Sequence, residues 1–325
     1  MTSGTDPVKS VEKSNGPLVV AVIGVGHLGR HHARLLSSMP GVRLAAVVDR
    51  IHERAVAAAA PAGAAALTDA GELTGHLDAV TIAVPTVDHL AVARPFLERG
   101  IHVLVEKPMT ASLEEADELV ALAKASGATL AIGHTERFNP AVVAAMQVLD
   151  RPRFIEVHRM SGFPERSLDI DVVFDVMIHD LDIIAAVDAT EVVSVDAIGV
   201  PVLTPRVDIA NARVKFASGC VANITASRIS RDKVRKVRFF QQDMYVSVDY
   251  ADQELDVWRL KPRPGERPAI EGGPVPVEKD EPLRRELADF VEAIRDRRPP
   301  LVTGDQGRRA LALAARVKQA IEAGS

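Results

Sequence analysis

The chain of 325 residues has one cysteine, Cys220, so no intrachain disulfide and no cysteine cluster for a metal is available. In its strand-like stretch, that thiol reads as a small buried side chain, not as a nucleophile. Aromatics are scarce, at 4% against 47% hydrophobic residues overall, so the cores are expected to be aliphatic. No apolar run approaches the length of a membrane span. The opening "MTSGTDPVKSVEKSNGP" lacks the apolar stretch of a secretory signal, so residues 1–16 read as a disordered tail and the protein as cytoplasmic, off the membrane. Basic residues are not in excess. With 39 Lys and Arg against 44 Asp and Glu, the net charge is −5, which gives no global reason to expect nucleic acid.

What is present divides in two, as the length suggests. The first half alternates strand and helix. "PLVVAVIGVG", "VRLAAVVD", "LDAVTIAVP", "IHVLVEKP" and "TLAIGH" are apolar runs of buried-strand type. Between them lie helical patterns, among them "DHLAVARPFLERG" and "SLEEADELVALAKASG". In the latter, Ser112 is a cap, Glu115 completes a capping box and Gly127 is a stop. This predicts a Rossmann-type doubly wound parallel sheet over residues 17–137.

The second half, 138–325, reads as a substrate and oligomerisation domain of α/β type with a large, open, mainly antiparallel sheet. Its strands are long, and in "ANARVKF" apolar Ala212, Val214 and Phe216 alternate with polar positions. Helices flank the sheet around "FDVMIHDLDIIAAV" and "LRRELADFVEAIRD". A last helix is expected to pack back toward the first domain. The Pro- and Gly-rich "PRPGERPAIEGGPVPVEKDEP" predicts a mobile loop.

"GVGHLG" carries Gly24, Gly26 and Gly29 in GxGxxG spacing, directly after a strand and at the opening of a helix. Asp49 ends the next strand 20 positions on. In that context the motif marks a dinucleotide site. Gly24 allows the tight turn, Gly26 lets the backbone approach a pyrophosphate and Gly29 lets the helix pack on the sheet. The helix N-terminus offers N–H groups to the phosphates. Asp49 as a ribose acceptor favours NAD. Arg50 beside it leaves NADP possible.

Ligands of open α/β sheets bind beyond the carboxyl ends of the strands. Those ends are Gly24-Val25-Gly26, Asp49, Pro85-Thr86, Glu106-Lys107-Pro108 and Gly133-His134. The cofactor-side set is therefore Gly24, Gly26, His27, Leu28, Gly29, Asp49, Arg50, Pro85, Thr86, His89 and Glu106. Glu106 enters as a hydrogen-bond acceptor, not as a catalytic group. Lys107 comes off a buried strand onto this edge, with Pro108 restricting the backbone behind it. It is placed beside the nicotinamide.

Carried on "GVGHLGRHHA", the "EKP" of 106–108, "DVMIHDLD" of 175–182 and "GHTERFNP" of 133–140, the chain resembles the Gfo/Idh/MocA oxidoreductases over essentially its whole length after the tail. The resemblance implies NAD(P)-dependent oxidation of a sugar or cyclitol hydroxyl, oligomer contacts through the C-terminal sheet in a homodimer or homotetramer, and a cis Lys107–Pro108 bond. It implies Lys107, His179 and Asp175 as the catalytic group. Met177 stands where the family pattern usually has glycine.

On a helix, Asp175, His179 and Asp182 are spaced i, i+4, i+7 and share one face. A zinc site is the rival for that trio, but no further His or Cys is placed to complete it, and no metal is assigned. A lysine base needs desolvation and the positive nicotinamide ring to lose its proton. His179 titrates closer to neutrality and is the second candidate. The two are assigned proton handling jointly, with Asp175 orienting them.

For the substrate, Arg137, Asn139 and Asp182 are candidates at the domain junction. "SRISRDKVRKVRFF" adds a basic stripe, of which Arg228, Arg231 and Lys233 are assigned to an anionic substrate. The bland alternative is a solvated hairpin. "MIHDLD" with "TERFNP" resembles the family branch that oxidises the 3-hydroxyl of UDP-N-acetylglucosamine. That resemblance implies a nucleotide-sugar substrate and a PLP aminotransferase that takes up the ketone on the way to lipid A. A free sugar, sugar acid or inositol is the alternative substrate. A non-catalytic NAD-binding sensor is the alternative of another class.

Overall fold

The computed structural model describes residues 16–163, 170–263 and 267–324. The tail expected over 1–16 falls almost wholly outside them.

The parallel sheet is built from β1 (Leu18–Ile23), β2 (Val42–Val48), β3 (Ala65–Leu67), β4 (Ala79–Ile82), β5 (His102–Glu106) and β6 (Leu130–Gly133), in the order β3-β2-β1-β4-β5-β6. All six residues of β1 are buried, which is why its sequence is a continuous apolar run and not an alternating one. The order reverses between β1 and β4, so the crevice for a ligand opens at the carboxyl end of β1. Helices α1 (Gly29–Ser38), α2 (His52–Ala59), α3 (His89–Glu98) and α4 (Leu113–Ser126) connect these strands. Strand β3 and helix α2 are too short and alanine-rich to have been foreseen. Ser112 caps α4 by accepting from the Glu115 N–H at 3.3 Å, but Glu115 reaches back to the Ala111 N–H (3.0 Å), one residue earlier than the expected box.

After α5 (Pro140–Met146) come β7 (Phe154–Met160), α6 (Ile178–Val187), β8 (Val192–Val200), β9 (Ile209–Phe216), β10 (Val221–Ser227), β11 (Val234–Phe240), β12 (Met244–Asp249), β13 (Glu254–Lys261) and β14 (Ala269–Val275). They form an eight-stranded sheet ordered β14-β13-β12-β11-β7-β10-β9-β8, antiparallel except for β7 with β10. Strand β14 replaces part of the expected mobile loop: Ala269–Val275 pairs with β13 along the sheet edge. Pro274 is tolerated because β14 is the last strand, with no further neighbour requiring its N–H.

The inner face of this sheet packs on α6 and on α8 (Gly304–Ala323). The outer face carries exposed Ile198, Val200, Trp258, Leu260 and Ile270. Helix α7 (Pro282–Asp296) belongs by packing to the parallel sheet: Leu283, Leu287, Phe290 and Val291 share one core with Val20 and Leu36. Helix α8 lies between the sheets. Its Leu311 joins the core of the parallel sheet, while Ala310, Leu313, Ala314 and Val317 join that of the other. No helix among the described residues is long and apolar enough to cross a membrane.

Cys220 is 1% exposed in the turn entering β10, and burial pushes its thiol up to about 12. It is a packed, inert side chain.

Candidate active site at the carboxyl edge of the parallel sheet

The loop from β1 into α1 is shaped by its glycines. Gly24 sits at φ +82°, and a Cβ there would lie 2.8 Å from the Ala83 carbonyl. A Cβ at Gly29 would strike the Gly24 oxygen at 1.8 Å, so helix and strand approach as closely as backbone permits. A Cβ at Gly26 would meet nothing within 4 Å. That face is open, as a pyrophosphate lying against bare backbone requires. Leu28 makes no side-chain cap on α1 and no acid occupies its first turn, so the N–H groups and dipole are available to an anion. The residues therefore fit a dinucleotide.

Asp49 accepts from Val25 N–H (2.8 Å) and Ile51 N–H (2.9 Å), tying the glycine loop to the end of β2 while keeping lone pairs for a ribose. Arg50 is exposed, 3.4 Å from Asp88. Pro85 and Thr86 begin the 3₁₀ turn after β4. His27 is exposed, with its ring 6.1 Å from that of His31.

Two members of the expected cofactor set are turned inward. His89 is 1% exposed, its Nε2 3.0 Å from the Val84 oxygen and its Nδ1 3.0 Å from that of Pro108. It braces the two main-chain segments that frame the site, and burial lowers its pKa. Glu106 is 4% exposed. It accepts from the Lys107 N–H (3.1 Å) through Oε2 and faces His32 Nε2 (3.0 Å) through Oε1.

Lys107 follows at the edge of the sheet, with a cis bond to Pro108. Its Nζ donates to the main-chain oxygen of Asp175 (2.7 Å) and to its carboxylate (3.3 Å). Asp175 is presented by a π-helical turn, Val173–Met177, which precedes α6. Such turns are frequent at functional sites. The wider turn breaks the simple i, i+4, i+7 face expected for 175, 179 and 182: Asp175 meets Lys107, whereas Asp182 is buried 3.5 Å from Arg137.

His179 is half-buried, with an enclosed Nδ1 that makes no hydrogen bond. Burial holds its pKa well below the usual range. The charges of Lys107 and Arg159 and the nearby His134 and Arg235 act in the same direction. The ring of His134 stands at 90° to that of His179, 6.5 Å away, and is likewise lowered by burial.

The substrate-side assignments need three corrections. Asn139 caps α5, accepting from Ala141 N–H (3.1 Å) and donating to the Tyr250 main-chain oxygen (2.9 Å), so it is a structural residue. Arg137 and Asp182, 6% and 2% exposed, are buried and face each other at 3.5 Å. Arg228 is not part of a surface stripe: it is 1% exposed and paired with Asp208 at 2.9 Å. Lys236 and Arg238 are neutralised on the outer face by Asp249 and Glu156. Arg231 and Lys233 are exposed in the β10–β11 connection, and Arg235, a member of the stripe not assigned to the substrate from the sequence, is within electrostatic reach of His179.

Arg159 was also missed. It makes a two-pronged pair with Asp180 (2.6 and 3.0 Å), reaches Glu136 (2.9 Å) and lies 4.7 Å over the Tyr250 ring. The signal was an arginine at an inward position of alternating β7, facing the unused acid of "IHDLD".

The family model described as an oxidoreductase family with an NAD-binding Rossmann fold matches residues 18–134. UDP-N-acetylglucosamine 3-dehydrogenase of Acidithiobacillus ferrooxidans is 41% identical over 305 residues, covering 93% of this chain and 96% of that one. Its solved structure superposes with a TM-score of 0.88 at 40% identity, over 94% of this chain and 98% of that one. The NAD-dependent scyllo-inositol 2-dehydrogenase of Bacillus subtilis is 28% identical, covering 87% of this chain and 88% of its own. An oxidoreductase domain protein of Kribbella flavida shares the fold alone, with a TM-score of 0.85 at 18% identity over 95% of this chain and 98% of that one. With its glycine loop, its Asp49 and its Lys107–Asp175 pair on one sheet edge, the chain belongs to the Gfo/Idh/MocA family of NAD-binding oxidoreductases.

Proposed function

We propose that this chain oxidises the 3-hydroxyl of UDP-N-acetylglucosamine to the 3-keto sugar with NAD. The observation that carries the chemistry is the Lys107–Asp175 contact on the ligand edge of the parallel sheet. What favours the substrate is the 41% identity to an enzyme of that name along nearly the whole chain.

Bound NAD supplies the hydride acceptor. Lys107, oriented by the main-chain oxygen and the carboxylate of Asp175, holds the reacting hydroxyl, whose proton Lys107 and His179 handle jointly. His179 is the second group at the hydroxyl. Its lowered pKa keeps the ring neutral near pH 7, so it positions the oxygen as an uncharged hydrogen-bond partner. Arg231, Lys233 and Arg235 are the cations we assign to the diphosphate. Asp49 beside the adenosine ribose favours NAD over NADP.

The product ketone suits a PLP aminotransferase, and on this reading the pair works in the cytoplasm on the way to lipid A. The apolar residues on the outer face of the large sheet fit a homo-oligomer contact. The inositol dehydrogenase relative keeps a second substrate reading open. NADH formation is to be followed with UDP-N-acetylglucosamine, inositols and free sugars, with an aminotransferase drawing off the ketone. A response to the UDP-sugar is expected. A response only to an inositol or free sugar overturns the substrate reading.

A further inference from the structure

Beneath Lys107 lies a cluster that the hydride-transfer chemistry does not use. One ring nitrogen of His32 and one carboxyl oxygen from each of Glu106 and Glu286 lie within 4.8 Å of one another, and all three residues are buried. They come from three elements: α1, the end of β5 and α7. Glu286 is 2% exposed, and neither of its oxygens makes a hydrogen bond of ordinary geometry, although the Thr135 side chain faces it. The Glu106 carboxyl is clamped over Gly133, where a Cβ would lie 2.8 Å from its carbon and oxygens.

Two buried carboxyl groups this close do not both ionise. Both oxygens of Glu106 already face donors, His32 and the Lys107 N–H. Glu286 is the group left over. What faces it deepens the problem: Glu106 from β5, Asp289 from its own helix and Asp182 from α6 are all acids, while His32 from α1 faces Glu106 through Nε2 and makes no hydrogen bond through its buried Nδ1. Burial and these acids push its carboxyl well above the usual range. A carboxylic acid has an O–H to give, and the Glu106 carboxylate is an acceptor within 4.8 Å.

We propose that Glu286 is a positioning residue for the reaction: it holds a proton and donates it in a hydrogen bond to Glu106, so that α1 and α7 together fix the strand end that carries Lys107. This rests on Lys107 being the reacting base. A base held a fraction of an ångström from its place loses much of its rate. The cluster therefore matters to turnover while touching neither substrate nor NAD.

The test uses the full-length protein. Infrared spectra at neutral pH are expected to show a protonated-carboxyl C=O band that disappears in Glu286→Gln. In NADH-formation assays, Glu286→Gln, which keeps a donor, is expected to hold kcat within about threefold. Glu286→Met, which has none, is expected to lose about tenfold or more in kcat with the KM for NAD little changed. In alkaline solution the wild type is expected to lose kcat reversibly as Glu286 gives up its proton, and Glu286→Gln to keep it. Should Glu286→Met fail to fold, the band and the alkaline limb decide. Absence of the band, or equal losses in the Gln and Met variants, overturns the proposal. So does a stoichiometric metal ion in the purified protein that is lost in His32→Ala, since it would make the cluster a cation site. A protein inactive on every sugar but showing the band would count against the role of Lys107, not against the proton on Glu286.

Discussion

Lys107 Nζ donates to both the main-chain oxygen and the carboxylate of Asp175, at 2.7 and 3.3 Å, across 68 residues of chain. The contact joins the last residues of a Rossmann strand to a π-helical turn of the second half. It brings together the two sequence motifs that carry the chemistry. Lys107→Met is expected to lower kcat by about 10²- to 10⁴-fold, the range of a lost general acid–base group. NAD affinity by fluorescence titration is expected to change less than about twofold. Retained turnover would remove Lys107 from the mechanism.

His179 is held neutral by burial and by the cations around it. Its folded pKa lies below the unfolded value near 6.5, so its contribution to stability is complete above that value. It is lost as pH falls, because the ring must then charge. The pH profile of kcat/KM is accordingly expected to show no acid limb at the ordinary histidine pKa. His179→Gln should cost about 10- to 100-fold in kcat. An acid limb near 6.5 that vanishes in this variant would mean that the ring titrates freely.

Asp49 links the glycine loop to the β2 end through Val25 N–H. Asp49→Ala removes that bond and the ribose acceptor together. At about 1.5–3 kcal/mol for hydrogen bonds to a charged group, the KM for NAD is expected to rise about 10- to 100-fold. Steady-state kinetics with NAD and NADP check this. An unchanged KM would show the carboxylate to be structural only.

The Arg228–Asp208 pair separates a structural cation from the supposed substrate stripe. Burial opposes the charge of Asp208, but the N–H groups of Thr204, Leu203 and Val202 hold its carboxyl well below the usual range. A depressed folded pKa stabilises above the unfolded value of about 4, and that contribution drains away as pH falls below it. Asp208→Asn removes the carboxylate charge that faces the buried Arg228 and is expected to cost about 3–5 kcal/mol in denaturant unfolding. The penalty should shrink in acid. If Arg228→Met instead left stability intact and raised the KM for the sugar nucleotide, Arg228 would return to the binding site.

On the outer sheet face, Ile198 and Trp258 are 64% and 39% exposed among the described residues. If the proposed homo-oligomer forms through this face, replacing both with Glu is expected to give a monomer with unchanged far-UV circular dichroism, read by light scattering. A monomeric wild type would sink this.

The sequence alone determined much of what depends on local chemistry. Apolar runs against alternating ones separated the parallel from the antiparallel sheet, because burial on two faces and on one face write different patterns. The glycine spacing after β1, Asp49 and the "EKP" strand end were legible, since backbone approach and strand polarity are properties of neighbouring residues. Strand β14 was not, because proline and glycine forbid a central strand but are harmless on an edge, and only the assembled sheet has an edge. Tertiary structure alone decided which charges are free. Arg228, Arg137, Asn139, His89 and Glu106 each had the chemistry of a site residue, yet each is consumed by a buried partner distant in sequence. Glu286 left a fainter trace, an acid in the apolar stripe formed by Leu283, Leu287 and Phe290. A charge on that stripe demands a partner, but only the packing of α7 against the end of β5 names Glu106.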